Sequence, residues 1–454
     1  LGTDAVTFVE IPGVADISGL TDFVTLTDAQ TIAGVKTFSD APVLPNDSLT
    51  IANTIGLQAA LDLKSFDRYR ALIDRASADY AFKGHISAGE PAVSETAPFT
   101  ATVTRSTVAW RVNALGYLES VAANSIVHEY DPTTGKYLGW LAEPERTNLA
   151  RYSADLANAY WLKTRGSIDA GDSILAPDGV SLAYKFEEDT DDGTHGVNTG
   201  FTISVTNGEY VSASCWVKPD EIDEISLSIT GTGGTSGISM TSRFLLTDAG
   251  SVYVTAGLSS KIVAYRDGWY RVEMTGLMSA TGSVRVLFVT TKDGDAGYPG
   301  VSGEGFYLWG MQVEKGIGAT SYIPVTSADV TRQDTNVVAP AGTDLTEGTL
   351  FIRGRLSSLF EGTNRLVGVF ADIDNRAHIT VGASGIIRFN VQINAVDGAI
   401  TGPAVAVDEE FIAVATWKNG EQYLAVDGEL AAGITVAEDM AGTFNLIMGG
   451  YSTI

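Results

Sequence analysis

The sequence has little cysteine, histidine or proline, and these shortages exclude several classes of protein. Of its 454 residues, one is cysteine (Cys215), four are histidine and 13 are proline. A single cysteine cannot build a disulfide framework, and the histidines lie too far apart in the sequence for a Cys/His or His/His metal motif. No apolar run reaches the roughly 20 residues that a membrane-spanning helix needs, so we expect no membrane insertion.

Basic residues are also scarce. Lysine and arginine number 29 against 55 aspartates and glutamates, which gives a formal net charge of −26. A surface this acidic repels the phosphates of DNA and RNA, so a general nucleic-acid-binding role is excluded. The chain starts at Leu1 without a basic segment and apolar stretch of the secretory type, and we expect that it begins inside a longer protein.

Glycine and apolar residues are abundant instead. Glycine accounts for 49 residues, and 44% of the chain is hydrophobic while 19% is charged. This composition is too apolar for a disordered chain and too rich in glycine for a helical one. At about 150 residues per domain, the length predicts roughly three domains, and we expect a mainly β protein.

The N-terminal region differs from the rest. Residues 1–54 contain short apolar pieces that are too few to form a core, so we predict an extended shaft ordered by sister copies, with a linker as the alternative. Residues 55–83 predict a short coiled-coil helix, with an amphipathic helix packed on its own domain as the alternative. We expect the chain to associate with itself as a homotrimer. The seam with alternating spacings of three and four consists of Phe66, Tyr69, Ile73, Ala76 and Tyr80.

Short alternating strands separated by glycine, Asn or Asp turns dominate the remainder, which is typical of antiparallel β-sandwiches. One strand has an apolar face made by Val211, Ala213, Cys215 and Val217. Asn419-Gly420 and Asp427-Gly428 predict two hairpin turns. The predicted domains are a β-rich connector at 84–150, a jelly-roll sandwich at 151–328, a linker at 329–347 and a second sandwich at 348–454, which we expect to be incomplete.

Several segments carry a resemblance to a known family. Residues 26–38 fit the pattern Leu-Thr-x-x-Gln-Thr-Ile-x-Gly-x-Lys-Thr-Phe, and further short segments follow in a fixed order at 102–107, 116–118, 122–124, 131–135, 139–143 and 145–149. In this order the segments resemble the tail fibres and tail-associated receptor-binding proteins of tailed bacteriophages. Residues 267–272, 305–314 and 320–324 resemble strands of a carbohydrate-binding-module-like jelly roll. Residues 348–351 and 417–428 resemble a concanavalin-A/laminin-G-type sandwich.

Sugar binding needs aromatic faces and planar polar groups, which directs attention to four residues. Trp216, Trp269 and Trp309 lie in predicted strands of the jelly roll, where the alternative is that they belong to the core. Tyr298 lies in a predicted loop and is the better candidate for an exposed ring. We therefore name all four as candidate carbohydrate-binding residues.

Two acidic loops supply the hard oxygen ligands that calcium prefers. The first contains Asp189, Asp191 and Asp192, and the second contains Asp293 and Asp295. Neither loop has the full spacing of an EF-hand, so calcium sites and solvated loops both stay open as interpretations.

No enzymatic signature is found. Residues 231–237 do not fit G-x-G-x-x-G because Ser236 stands where the third glycine should be. The resemblance implies an extracellular virion tail fibre that binds host surface polysaccharide multivalently, with itself and other virion tail proteins as partners. The alternatives are a polysaccharide-degrading tailspike and an architectural virion fibre or collar without receptor binding.

Overall fold

The computed structural model describes residues 102–169, 174–232, 238–247, 250–254, 258–343, 347–359, 362–418, 420–431, 440 and 443–449. In these residues the regular structure is β-strand, apart from one 3-10 turn at Arg266–Gly268. The prediction of a mainly β, antiparallel fold is confirmed. No helix in this part of the chain is long and apolar enough to cross a membrane. The predicted shaft (1–54) and coiled coil (55–83) lie outside the described residues.

The connector contributes six short strands. They are β1 (Thr102–Thr104), β2 (Ala109–Val112), β3 (Leu118–Val121), β4 (His128–Tyr130), β5 (Tyr137–Trp140) and β6 (Arg146–Asn148). Strands β2 and β3 form one antiparallel hairpin, and β4 and β5 form another. These strands are too short to enclose a core of their own, so the connector depends on the sheets that it contacts.

The first sandwich follows the connector and consists of fifteen strands. They are β7 (Trp161–Thr164), β8 (Gly166–Asp169), β9 (Tyr184–Glu188), β10 (Asp192–Gly193), β11 (Gly196–Thr199), β12 (Ile203–Val205), β13 (Tyr210–Pro219), β14 (Glu224–Thr232), β15 (Ser239–Leu245), β16 (Ser251–Val254), β17 (Leu258–Ala264), β18 (Tyr270–Leu277), β19 (Gly282–Thr290), β20 (Tyr298–Pro299) and β21 (Gly305–Lys315). One sheet has the order β16-β15-β14-β19-β11-β7, with β12 also paired to β19, and the other has the order β17-β18-β13-β21-β9-β8.

The core of the first sandwich lies between these two sheets. The alternating residues Val211, Ala213, Cys215 and Val217 of β13 are fully buried there, as the sequence pattern predicts. The facing sheet contributes residues such as Ile225 and Phe288, which are equally buried. Removing this apolar area from water, at about 25 cal/mol per Å², is the main term that stabilises the sandwich.

The connector covers the outer face of the β13-containing sheet. Val112, Leu118 and Tyr130 of the connector share a cluster with Trp216 and Trp309, which lie opposite each other on β13 and β21. Strand β13 is consequently buried on both of its faces. Trp216 and Trp309 therefore lie between the sheet and the connector.

The second sandwich is built from strands that come late in the chain. After β22 (Val330–Arg332), its strands are β23 (Asn336–Thr343), β24 (Gly348–Arg355), β25 (Asn364–Phe370), β26 (Arg376–Val381), β27 (Ile386–Ile393), β28 (Val396–Ala404), β29 (Glu410–Lys418), β30 (Glu421–Val426), β31 (Glu429–Ala431) and β32 (Thr443–Gly449). Its larger sheet has the order β1-β23-β32-β25-β26-β27-β28, and its smaller sheet has the order β24-β29-β30-β31. A separate apolar core includes Ile379, Phe389 and Leu424.

Both predicted hairpins of the second sandwich are confirmed. Strands β29 and β30 pair with Lys418 opposite Glu421, so two residues connect them. Strands β30 and β31 are joined through Asp427 and Gly428, which have φ angles of 49° and 86°. Positive φ at both central residues is the requirement of a type I′ turn, which explains the Asp-Gly pair.

The expected linker at 329–347 needs correction. It contains β22, which pairs with β6 of the connector, and β23, which joins the larger sheet of the second sandwich. Pro340 and Gly342 accompany a shift of register in β23, and this irregularity interrupts the alternation that would have marked a strand.

Candidate functional site

The three candidate tryptophans are inside the protein. Trp216, Trp269 and Trp309 are 1%, 1% and 2% exposed. The indole nitrogen of Trp269 donates a hydrogen bond to the carbonyl of Leu175 at 3.1 Å. The expectation that these rings form a sugar platform is therefore corrected, because the connector covers the sheet face on which they lie and they form core instead.

Tyr298 and the first acidic loop are brought together. The short strands β10 and β20 pair with Asp192 opposite Pro299, which places Tyr298 beside the loop. The Tyr298 hydroxyl donates to Glu188, and its ring centroid lies 5.2 Å from that of His195. Burial and this hydrogen bond raise the pKa of Tyr298, so its hydroxyl stays a donor. The half-buried ring anchors the loop, and sugar stacking on it stays a prediction.

The candidate acidic residues lie at the surface, with Asp192 in β10 and the others between strands. Asp189 accepts a hydrogen bond from the backbone nitrogen of Asp191 at 2.9 Å, and Asp295 accepts one from Gly297 at 2.9 Å. Asp192 and Asp293 are exposed. Among the described residues, no group of three or more His, Cys, Asp or Glu side chains is placed to hold a metal ion. Neither loop thus brings three such side chains together in that part of the chain, and calcium binding stays a prediction.

An exposed aromatic ring is found elsewhere in the first sandwich. Tyr253 of β16 is 54% exposed, and within the described chain only Tyr423 is comparably open among the aromatic residues, at 50%. Tyr253 lies directly opposite Arg243 of β15, and the Arg243 guanidinium carbon sits 4.3 Å from the centre of the Tyr253 ring. Tyr253 is on the outer face because its neighbour Val252 faces the core.

A carboxylate and a loop complete this Tyr253 site. Arg243 forms an ion pair with Glu224 of β14 at 3.3 Å, and Glu224 also accepts a hydrogen bond from the backbone nitrogen of Gly294 at 3.1 Å. A Cβ at Gly294 would lie 2.2 Å from the Arg243 guanidinium, so the loop that carries the predicted Asp293 touches the arginine. The site combines an open ring, a planar cation and a carboxylate on rigid strands.

This arrangement suits a saccharide. Tyr253 offers an apolar face for the C–H surface of a sugar ring, while the Arg243 donors and Glu224 acceptors suit its hydroxyl groups. The sequence reasoning missed Tyr253 and Arg243. In the sequence, each of them occupies a position that alternates with core residues in its strand, so both could be predicted to face outward. That they lie side by side follows from the pairing of β15 with β16, which the sequence does not show.

Comparisons with known proteins are sparse for this chain. No protein-family model matches it, and no curated protein matches it. Among solved structures, it is similar to the mouse laminin alpha1 chain, domains LG4-5, with 11% identity and a TM-score of 0.22, over 56% of this chain and 80% of that chain. A TM-score this low carries no inference, so the site rests on its own geometry.

Proposed function

We propose that this protein is an adhesive tail-fibre component of a tailed bacteriophage, which binds a host surface saccharide without cleaving it. The ordered series of segments between residues 26 and 149 supports the virion assignment through its resemblance to phage tail proteins. The predicted shaft and coiled coil would hold three copies together, and other tail proteins would be further partners.

The stacked pair Tyr253 and Arg243 carries the binding part of the proposal. An exposed tyrosine ring with a guanidinium 4.3 Å from its centre offers an apolar surface and hydrogen-bond donors next to each other. Such a surface binds a sugar weakly because it is shallow. Three copies on one rigid fibre raise the effective concentration, and adhesion then follows from avidity.

The test is saccharide binding by the full chain on an array of purified bacterial surface polysaccharides. We expect Tyr253→Ala to weaken binding about tenfold, which corresponds to roughly 1.4 kcal/mol. Arg243→Gln should weaken the same interaction. The matched control is Tyr423→Ala, which removes an equally exposed ring from the second sandwich and should leave the binding unchanged.

Two results would overturn the proposal. Equal loss of binding in Tyr253→Ala and Tyr423→Ala would show that ring exposure alone, rather than the Tyr253 site, governs adhesion. Release of reducing ends from the bound polysaccharide would identify a degrading enzyme instead of an adhesin.

A further inference from the structure

One face of the second sandwich carries positive charge in an otherwise acidic protein. The outward residues of three adjacent strands form this cationic face. They are Arg365 of β25, Arg376 and His378 of β26, and Arg388, Asn390 and Gln392 of β27. The opposite face of the same strands supplies Ile379, Phe389 and Val391 to the core. Three arginines on one sheet face are unexpected in a chain with a net charge of −26.

Two of these arginines have no carboxylate partner. In the described part of the chain, neither Arg376 nor Arg388 forms an ion pair within 4 Å. The smaller sheet of the same domain behaves differently, since Arg353 pairs with Glu410 at 2.8 Å and Arg355 pairs with Asp408 at 3.6 Å. In the described residues the charges of Arg376 and Arg388 therefore have no carboxylate within 4 Å, which leaves them available to an external anion.

Three of the ten buried polar atoms that have no hydrogen-bond partner in the described residues lie on this face. The Nε atom of Arg376, the Nδ1 atom of His378 and the Oε1 atom of Gln392 are buried and make no hydrogen bond. Arg376 and Gln392 are direct neighbours across β26 and β27, and His378 lies two residues further along β26. Buried polar groups are nearly always hydrogen-bonded, so three unpartnered atoms on neighbouring positions leave this part of the sheet short of hydrogen-bond partners.

The buried ring of Phe370 lies beneath the cationic face. Phe370 of β25 is buried, with its ring stacked on His378 at 5.4 Å and the Arg365 guanidinium 4.3 Å from its centre. A Cβ at Gly368 would lie 2.6 Å from the Phe370 ring and 2.4 Å from His378. Because glycine has no side chain, the Phe370 ring can pack over Gly368 and contact His378 and Arg365.

The positive charges on this face repel each other. Burial, followed by the charge of Arg376, lowers the pKa of Arg365. Burial and the charges of Arg376 and Arg365 lower the pKa of His378 to about 3, so its ring is neutral near pH 7. An anion bound over Arg365 and Arg376 would relieve the repulsion between the two guanidiniums.

The spacing of the charges identifies the kind of anion. Arg388 lies opposite Thr380, which is four residues from Arg376 along β26, so the two arginines are roughly 13 Å apart along the strands at about 3.3 Å per residue. A single small ion cannot contact both of them. A chain with repeating charges can, and guanidinium forks suit carboxylates while the Asn390 and Gln392 amides suit hydroxyl groups.

We propose that the cationic face binds a linear acidic polysaccharide that carries carboxylates on repeating sugar units. The bound chain runs along the strands from Arg376 to Arg388, across His378 and Asn390. Asp397 lies opposite Gln392 on β28, and Asp372 and Asp374 lie in the turn before β26, so the positive surface ends at these carboxylates. This site is separate from the Tyr253 site and does not require it.

The experiment measures binding of the full chain to polygalacturonate by isothermal titration calorimetry, with neutral dextran and inorganic phosphate as comparison ligands. We expect polygalacturonate to bind, more weakly at high salt because screening reduces the attraction. Arg376→Gln and Arg388→Gln should each weaken binding about tenfold, the loss of a charge-assisted contact. Arg353→Gln removes the same charge from the smaller sheet and should have no effect.

Folding and oligomeric state are controlled in the same samples. Thermal melting identifies a variant that has lost its fold. Arg388→Lys keeps the positive charge but lacks the planar guanidinium that contacts a carboxylate through two hydrogen bonds, so we expect partial binding. Wild-type affinity in both glutamine variants would overturn the proposal. Equal binding of inorganic phosphate, which indicates a single-ion site, would overturn it too. So would a change of oligomeric state in Arg388→Gln without weaker binding, since the face would then be an interface between copies.

Discussion

Glu143 and Arg332, 189 residues apart in the sequence, form an ion pair that joins the connector to the segment after the first sandwich. The Arg332 side chain is 2% exposed and the Glu143 side chain is 13% exposed. Glu143 also accepts a hydrogen bond from the backbone nitrogen of Ser321 at 2.7 Å, and Arg332 donates to the carbonyl of Pro144 at 2.7 Å. The pair is therefore hydrogen-bonded on both sides.

Breaking this pair should be costly. Glu143→Gln leaves the Arg332 guanidinium buried without its counter-charge, and we expect a loss of about 3 kcal/mol in the free energy of unfolding. Chemical denaturation measures this loss. Asp329→Asn is the control, because the pair of Asp329 with Arg151 is more than 40% exposed on both sides and should be worth less than about 1 kcal/mol. If Glu143→Gln and Asp329→Asn lowered the free energy of unfolding equally, burial would not be what makes the Glu143–Arg332 pair stabilising.

Glu129 makes stability depend on pH. Burial, followed by the charge of Glu143, raises the pKa of Glu129 from 4.5 to about 8, against the opposing charges of Arg271 and Arg111. Between pH 4.5 and 8 the Glu129 carboxyl is protonated in the folded state and ionised in the unfolded state. The contribution of Glu129 to the free energy of unfolding therefore falls as the pH rises, by up to about 1.4 kcal/mol per pH unit. Glu129→Gln should flatten this part of the curve when unfolding is followed from pH 5 to pH 9, whereas an unchanged slope would assign it to other groups.

Variants at Trp269 and Tyr253 should affect different properties, the first the free energy of unfolding and the second saccharide binding. Trp269→Phe removes the hydrogen bond to Leu175 and part of a buried ring, with an expected loss of roughly 1–3 kcal/mol in the free energy of unfolding. Saccharide binding by the folded fraction should be retained. Tyr253→Ala should do the reverse, with a stability change within about 0.5 kcal/mol, as is usual for exposed positions. Weaker binding in Trp269→Phe at full folding would count against the core role of this tryptophan.

Gly310 occupies a bulge in β21. Its φ angle is 67°, the register between β13 and β21 shifts at this point, and a Cβ would lie 2.7 Å from the Trp216 ring. Gly310→Ala should cost at least about 2 kcal/mol, from backbone strain and overpacking together. Gly208→Ala measures the strain alone, because Gly208 has a φ of 84° and open space around it. If both variants lose the same stability by thermal and chemical denaturation, packing against Trp216 contributes nothing.

Local patterns in the sequence were sufficient where the deciding interactions are also local. The alternation in β13 predicted its core face, since side chains alternate across a strand. The Asp427-Gly428 turn followed from its requirement for positive φ at two successive residues. The linker prediction at 329–347 was wrong because β22 and β23 are short or irregular strands that gain their partners from distant segments.

The sequence by itself determined that the protein is acidic, free of disulfides and built from antiparallel strands, because composition and period-two alternation depend only on neighbouring residues. Only the tertiary structure decided that the connector buries Trp216, Trp269 and Trp309, and that Arg243 stacks on Tyr253. It alone placed Arg376 and Arg388 on one unpaired face of the second sandwich. Strand register and the packing of one layer on another join residues far apart in the chain, and no local pattern encodes which distant strand will be the neighbour.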